Sequence, residues 1–140
     1  EGSPHPIDFS RNIRILLIIM TKTQLQHFKD LLTEEFGVLT SELTNIAHQN
    51  ERGDWQVTPE IQEDGAEADE NAQADIVEEF ESRVGRLEVL EKRYNQVRDA
   101  LERIEGGTYG ICKKSGAKIE LDRLEANPAA ETCKAMMNVR

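Results

Sequence analysis

The sequence of 140 residues predicts a mainly α protein, an antiparallel coiled-coil hairpin followed by a small C-terminal knuckle-like module. Three observations carry that prediction. Two long stretches repeat apolar residues at steps of three and four; a connector rich in helix breakers separates them; and the texture changes abruptly after Gly107. Composition agrees, since 38% hydrophobic and 5% aromatic residues give little bulk for a thick core, while a helix needs only one apolar stripe.

The first 19 residues stand apart. Arg11 to Ile19 contains an apolar run too short for the roughly 20 residues that span a bilayer, and no small-x-small cleavage site follows it. Residues 1–19 are therefore expected to be a leader or vector-derived sequence, with the natural start at Met20 and a cytoplasmic protein behind it. Thr21 to Gln24 reads as a helix start. From there Leu25, Phe28, Leu32, Phe36, Leu39, Leu43 and Ile46 form one stripe, predicting a helix over about Thr23 to Asn50, with Gly37 as a site for a bend.

Glu51 to Ala68 holds Gly53, Pro59 and Gly65 and reads as a connector. A second stripe follows, through Ile76, Phe80, Val84, Leu87, Leu90, Tyr94, Val97, Leu101 and Ile104, and Gly106-Gly107 ends it. Two striped helices on a short connector bury their seams most simply by folding back on each other; a compact bundle of three or more helices is the alternative. The hairpin is thus placed at 20–107 with an acidic tip near 53–75, and the small module with a C-terminal helix at 108–140. In that module six basic residues exceed four acids, and large apolar residues are too few for it to fold without a staple or a neighbour.

Charge narrows the function. The chain carries −10 overall, which disfavours direct DNA binding and an anionic membrane surface. From Gly53 to Ser82 there are eleven acids and no Lys or Arg. That segment is either a solvated loop and helix start, or a tip that approaches a metal ion or a basic channel. Trp55 either caps the apolar seam or touches a partner; Tyr94 reads as seam filler, and His27 and His48, 21 residues apart, match no common metal pair. No nucleophile motif or phosphate loop is present, so an enzyme is not expected.

The cysteines are more specific. Cys112 and Cys133 each want a second thiolate three residues on if they hold structural zinc, but those positions are Ser115 and Met136. A hydroxyl and a thioether are poor Zn²⁺ ligands, and no histidine lies in the module. Zinc is expected only if the two cysteines recruit ligands from outside, and a Cys112–Cys133 disulfide is a conceivable substitute staple.

The stretch Ala100 to Cys133, with Cys112, Ser115, Cys133 and Met136 at the C-x2-C-x17-C-x2-C positions and the run Arg123-Leu124-Glu125-Ala126-Asn127-Pro128, resembles the DksA/TraR family. The resemblance extends over about Leu25 to Met137, with Glu78-Glu79-Phe80 at the place of an E-E-F run. It implies a coiled-coil hairpin with a C4-type, zinc-finger-like module, here a degenerate two-cysteine one. It further implies a non-enzymatic, monomeric partner of bacterial RNA polymerase whose tip enters the secondary channel towards the catalytic Mg²⁺. The family's D-x-x-D-x-A tip falls on Asp69, Glu70, Asn71, Ala72, Gln73 and Ala74, so the second acid is replaced by Ala72 while Glu70 and Asp75 keep the region acidic. The basic residue that the family uses towards guanosine tetraphosphate is Gln96, so sensitivity to that alarmone is not implied for this chain. A coiled-coil interaction protein that kept the scaffold without the regulation is the competing reading. A Gre-like cleavage stimulator is a third, disfavoured by the small finger.

Overall fold

The structure, a computed structural model, describes residues 20–58 and 70–138. The expected leader at 1–19 and the part of the expected tip from Pro59 to Asp69 lie outside the described residues. The chain is mainly helical. Helix α1 spans Lys22–Ile46, strands β1 and β2 span Ala47–Gln49 and Trp55–Val57, and helix α2 spans Glu70–Gly106. A short helix α3, Leu121–Ala126, and a 3₁₀ turn, Lys134–Met136, follow in the small module. Among the described residues no helix is long and apolar enough to cross a membrane.

The start of α1 follows from its sequence. Gln24 N–H donates to Thr21 Oγ1 at 3.1 Å and the Thr21 N–H donates back to Gln24 Oε1 at 2.9 Å, a reciprocal capping box that satisfies two otherwise unpaired donors. The end of α1 differs from expectation: it stops at Ile46, four residues before Asn50. Instead Ala47–Gln49 pairs antiparallel with Trp55–Val57, with Gln49 opposite Trp55 and Ala47 opposite Val57. The cause is the turn between them. Asn50 Oδ1 accepts from the N–H groups of Arg52 and Asp54, both at 2.9 Å, and Gly53 takes a φ of 86° that a side chain would strain.

Helix α2 has 37 residues and ends as Gly106-Gly107 suggests. Thr108 N–H reaches back to Arg103 O at 2.9 Å and Gly107 N–H to Ile104 O at 3.4 Å, the paired bonds of a Schellman motif, with Gly107 at φ 79°. A third bond, from Tyr109 N–H to Arg103 O at 3.2 Å, turns the chain directly into the module.

The chain divides into two compact units, and both helices contribute to each. One unit is Gly37–Tyr94. Its core is Leu43, Ala47, Trp55 and Leu87, with Ile46, Val57, Leu90 and Tyr94 packed against it. The Trp55 and Tyr94 rings meet edge to face at 5.8 Å, so Trp55 covers the apolar seam. Farther towards the start of α2 the stripe goes on while its burial does not: Ile76, Val77 and Phe80 are 40%, 56% and 47% exposed.

The other unit joins the described residues up to Phe36 with those from Asn95 onward. Phe28, Leu32, Val97, Ala100 and Ile104 from the helices are buried there, as are Tyr109, Cys112, Ile119, Leu124 and Cys133 from the module. The helices run antiparallel, with Lys29 Nζ on α1 3.4 Å from Glu105 near the end of α2.

Candidate functional site

Two places inherit the sites expected from sequence: the acidic start of α2 and the finger. At the first, Glu70 lies in the opening turn of α2, where a carboxylate favours the helix dipole. Glu70, Asn71, Ala74 and Asp75 are exposed and Ala72 is half-buried. Glu70 and Asp75 are five residues apart, which puts them on different faces of the helix and prevents them from clamping one ion together. Where a second tip acid would stand, Ala72 leaves a methyl group. Glu78, Glu79 and Glu81 continue the acidic run in exposed positions, and Arg83, the first base after it, pairs with Glu79 at 2.9 Å. Among the described residues no cluster of three or more His, Cys, Asp or Glu could hold a metal ion.

The finger starts from Tyr109, which has no exposed surface. Its ring packs on Phe28 of α1 with centroids 6.0 Å apart, and its hydroxyl donates to Pro128 O at 2.7 Å. Burial pushes its phenol well above the ordinary range. A knuckle follows, closed by Cys112 N–H to Ala117 O at 2.7 Å and Gly116 N–H to Cys112 O at 2.9 Å, with Gly116 at φ 72°. Ile119 N–H to Gly110 O and Lys113 N–H to Glu131 O, both at 2.8 Å, tie the knuckle to the rest of the module. Within the module Tyr109, Ile119 and Leu124 are buried, and Ile111 and Leu121 are half-buried.

The run from Arg123 to Pro128 proves to be a set of fasteners. Arg123 Nε donates to Thr132 O at 2.5 Å and Nη2 to Thr132 Oγ1 at 3.3 Å, while Nη1 meets Met137 Sδ at 2.9 Å. Leu124 fills the core and Glu125 pairs with His27 of α1 at 3.3 Å. Asn127 turns the chain by accepting from Ala129 N–H at 3.2 Å and Ala130 N–H at 3.0 Å. Lys134 adds an ion pair to Asp122 and donates its N–H to Glu120 Oε2 at 3.0 Å, which holds both carboxyls below their usual range.

Cys112 and Cys133 are both buried, free thiols. Ser115 Oγ lies 3.7 Å from Cys133 Sγ and also hydrogen-bonds the Cys112 sulfur. The Ser115 bond outweighs burial and, with backbone N–H groups of Cys133, Ser115 and Lys114, brings the Cys112 thiol down to about 6. Between Ser115 and Cys133 either group can be the donor. Structural zinc needs four soft or imidazole donors. Ser115 spends its hydroxyl on the two sulfurs and Met136 offers only a thioether, so these residues do not fit structural zinc. The hydrogen bonds and core above hold the finger in its place.

Sequence reasoning missed a recess of about 510 Å³ beside the finger, lined by Asp99, Glu102, Arg103, Lys113 and Glu131 among others. Arg103 Nη1 faces Glu131 at 3.6 Å there, and Nη2 is buried without a hydrogen-bond partner. The recess joins the end of α2 to Lys113 and Glu131 of the module, a set with no spacing motif, so no signal pointed to it.

Comparison with known proteins bears on the finger first. Residues 107–135 match the family model of the prokaryotic dksA/traR C4-type zinc finger. The finger belongs to the DksA/TraR family. The DksA/TraR finger here keeps two of four cysteines, as the spacing at Cys112, Ser115, Cys133 and Met136 requires. The chain is 32% identical over 115 residues to YteA of Bacillus subtilis, covering 81% of this chain and 48% of that protein. It is 46% identical over 39 residues to the RNA polymerase-binding transcription factor DksA of Caulobacter vibrioides, covering 28% of each chain. It therefore spans about half, or less, of the relatives it matches. The solved structure of transcription factor DksA2 from Pseudomonas aeruginosa superposes with a TM-score of 0.60 at 24% identity, covering 88% of this chain and 89% of that one, which establishes the fold.

Proposed function

We propose that this chain is a non-enzymatic transcription regulator that binds RNA polymerase and presents the acidic start of α2 to the polymerase secondary channel. The observation that carries the reading is a run of exposed carboxylates opening a long helix that ends in a DksA/TraR finger. Its acids suit a basic channel and a bound Mg²⁺ there, whereas the net charge of −10 opposes direct DNA binding. Asp69, Glu70, Asn71, Ala72, Ala74 and Asp75 are the residues assigned to the polymerase contact; no contact with guanosine tetraphosphate is assigned, because Gln96 offers no charge to it. Ala72 in place of a second tip acid favours one competing reading, a coiled-coil interaction protein that kept the scaffold but lost polymerase regulation.

The test is a pull-down with core polymerase, with and without a competing secondary-channel factor, joined to in vitro transcription. Asp69→Asn is expected to weaken the transcriptional effect while polymerase affinity stays within a few-fold, and Ala72→Asp to strengthen it. Binding with an effect on transcription would support the regulator. Absence of binding by the unaltered chain would refute it and favour the interaction-protein reading.

A further inference from the structure

Near the start of α2 the apolar stripe runs on without a cover, and the charges beside it fall in an order that fits a copy of itself. Ile76, Val77 and Phe80 are three of the seven large apolar side chains that stand exposed among the described residues, and they lie within five positions of one helix. Phe80 is four residues from Ile76 and three from Val77, so the three share one face. Val84, one turn further on, is half-buried and continues that face towards the buried Leu87. A contiguous apolar patch on a charged helix marks a contact surface, whereas scattered single residues need no explanation.

The edge of the patch identifies the occupant. Asp75, Glu79, Arg83 and Arg86 step by four, four and three residues along one side of it. Their order is acid, acid, base, base, and its midpoint falls beside Phe80. A second identical helix laid antiparallel, Phe80 against Phe80, brings Arg83 of each copy to Glu79 of the other and Arg86 to Asp75, while Ile76 meets Val84. A parallel pair would set acid against acid. An unrelated partner would need a matching order of its own; a second copy supplies it by symmetry, as an isologous two-fold contact requires. Arg83 already holds Glu79 on its own helix at 2.9 Å, and its guanidinium has donors enough to bridge that carboxylate and the one opposite. On the far edge the exposed Glu81 faces its own counterpart, a small repulsion in water that keeps the pair weak.

We propose that two copies of this chain pair antiparallel through α2, Phe80 on Phe80, with Arg83 and Arg86 of each copy against Glu79 and Asp75 of the other. The apolar patch is small, so the pair forms only at high protein concentration, in place of the monomer that the family resemblance alone implies. It covers helix turns assigned above to polymerase, so that face holds a second copy or polymerase, not both. The pairing is measured without polymerase and stands whether or not that assignment does.

The experiment is sedimentation equilibrium of the full chain from about 5 to about 500 µM, with far-ultraviolet circular dichroism on every variant. The expected result is a weight-average mass that rises from that of one chain towards that of two. Phe80→Gln is expected to weaken association about tenfold and to leave the melting curve of the dilute protein unchanged, since the side chain is exposed. Arg83→Glu with Arg86→Glu, and separately Asp75→Lys with Glu79→Lys, are each expected to weaken it about tenfold. An equimolar mixture of those two double variants should associate within about threefold of the unaltered chain, because every acid again faces a base. A chain still monomeric at about 500 µM, a mass that climbs past two chains, Phe80→Gln associating as tightly as the unaltered chain, or a mixture no tighter than its components would overturn the proposal. Should Phe80→Gln lose helix, the mixture decides the matter.

Discussion

Removing one hydroxyl tests whether packing and hydrogen bonds replace the metal in this finger. Tyr109→Phe keeps the ring that packs on Phe28 and deletes only the 2.7 Å bond to Pro128 O. A net intramolecular hydrogen bond contributes about 0.5–1.5 kcal/mol, and a carbonyl left without its donor adds a desolvation penalty, so a loss of about 1–2 kcal/mol is expected. For a chain of 140 residues that corresponds to a melting temperature lower by roughly 3–8 °C. Tyr109→Ala, which also empties a fully buried ring site, should cost about 3–5 kcal/mol. The assay is equilibrium urea denaturation followed by far-ultraviolet circular dichroism, alongside Trp55 fluorescence, which reports on the unit that lacks Tyr109. Each curve is repeated with a strong zinc chelator, which should leave it unchanged. If Tyr109→Phe matches the unaltered protein, or the chelator collapses the transition, the account of a finger held by its own side chains is wrong.

Three further outcomes follow from single features. The raised Tyr109 phenol stays neutral in the folded state where the unfolded chain would ionise, so its contribution is full below about pH 10 and lost as pH rises through the folded value; Tyr109→Phe should flatten that alkaline decline in a pH series of melts. Ser115→Ala removes the main group that lowers the Cys112 thiol, so its titration, read by thiolate absorbance, should move up from about 6 towards the ordinary value near 8.5. Gly107→Ala forces a side chain into φ 79° at the end of α2 and should cost about 1 kcal/mol in the same urea assay, with no change by amide exchange in the capping box at the start of α1.

Much of this fold is written in the chain at short range. Thr21 and Gln24 announce the start of α1, Gly106-Gly107 the end of α2, and the two stripes the faces that become buried. The strands were not legible, because Ala47–Gln49 and Trp55–Val57 are three residues each, too short to show an alternation. What ends α1 is a polar turn at Asn50 to Asp54 that competes with the helix through one carboxamide. The finger's cysteine positions could be read from spacing, but the work of Arg123, Glu125 and Asn127 could not. Their partners Thr132, His27 and Ala129 become neighbours only once the module has folded. Periodicity also names a face without naming its cover, as Ile76 and Phe80 illustrate: both keep the stripe's spacing and both stay exposed.

That exposed stretch of α2 has a consequence for how the helix opens. Helical segments of a few turns are marginal in water unless a packed face supports them. Around Val97, Ala100 and Ile104, α2 is locked by burial, whereas around Ile76 and Phe80 it rests on intrinsic propensity and the Glu79–Arg83 pair. Amide exchange along this single unbroken helix should therefore form a gradient, fast at Glu70 and slowest near Val97, because fraying starts from one end only. A helix built this way can reshape its acidic first turns against a partner without disturbing the finger that closes its other end.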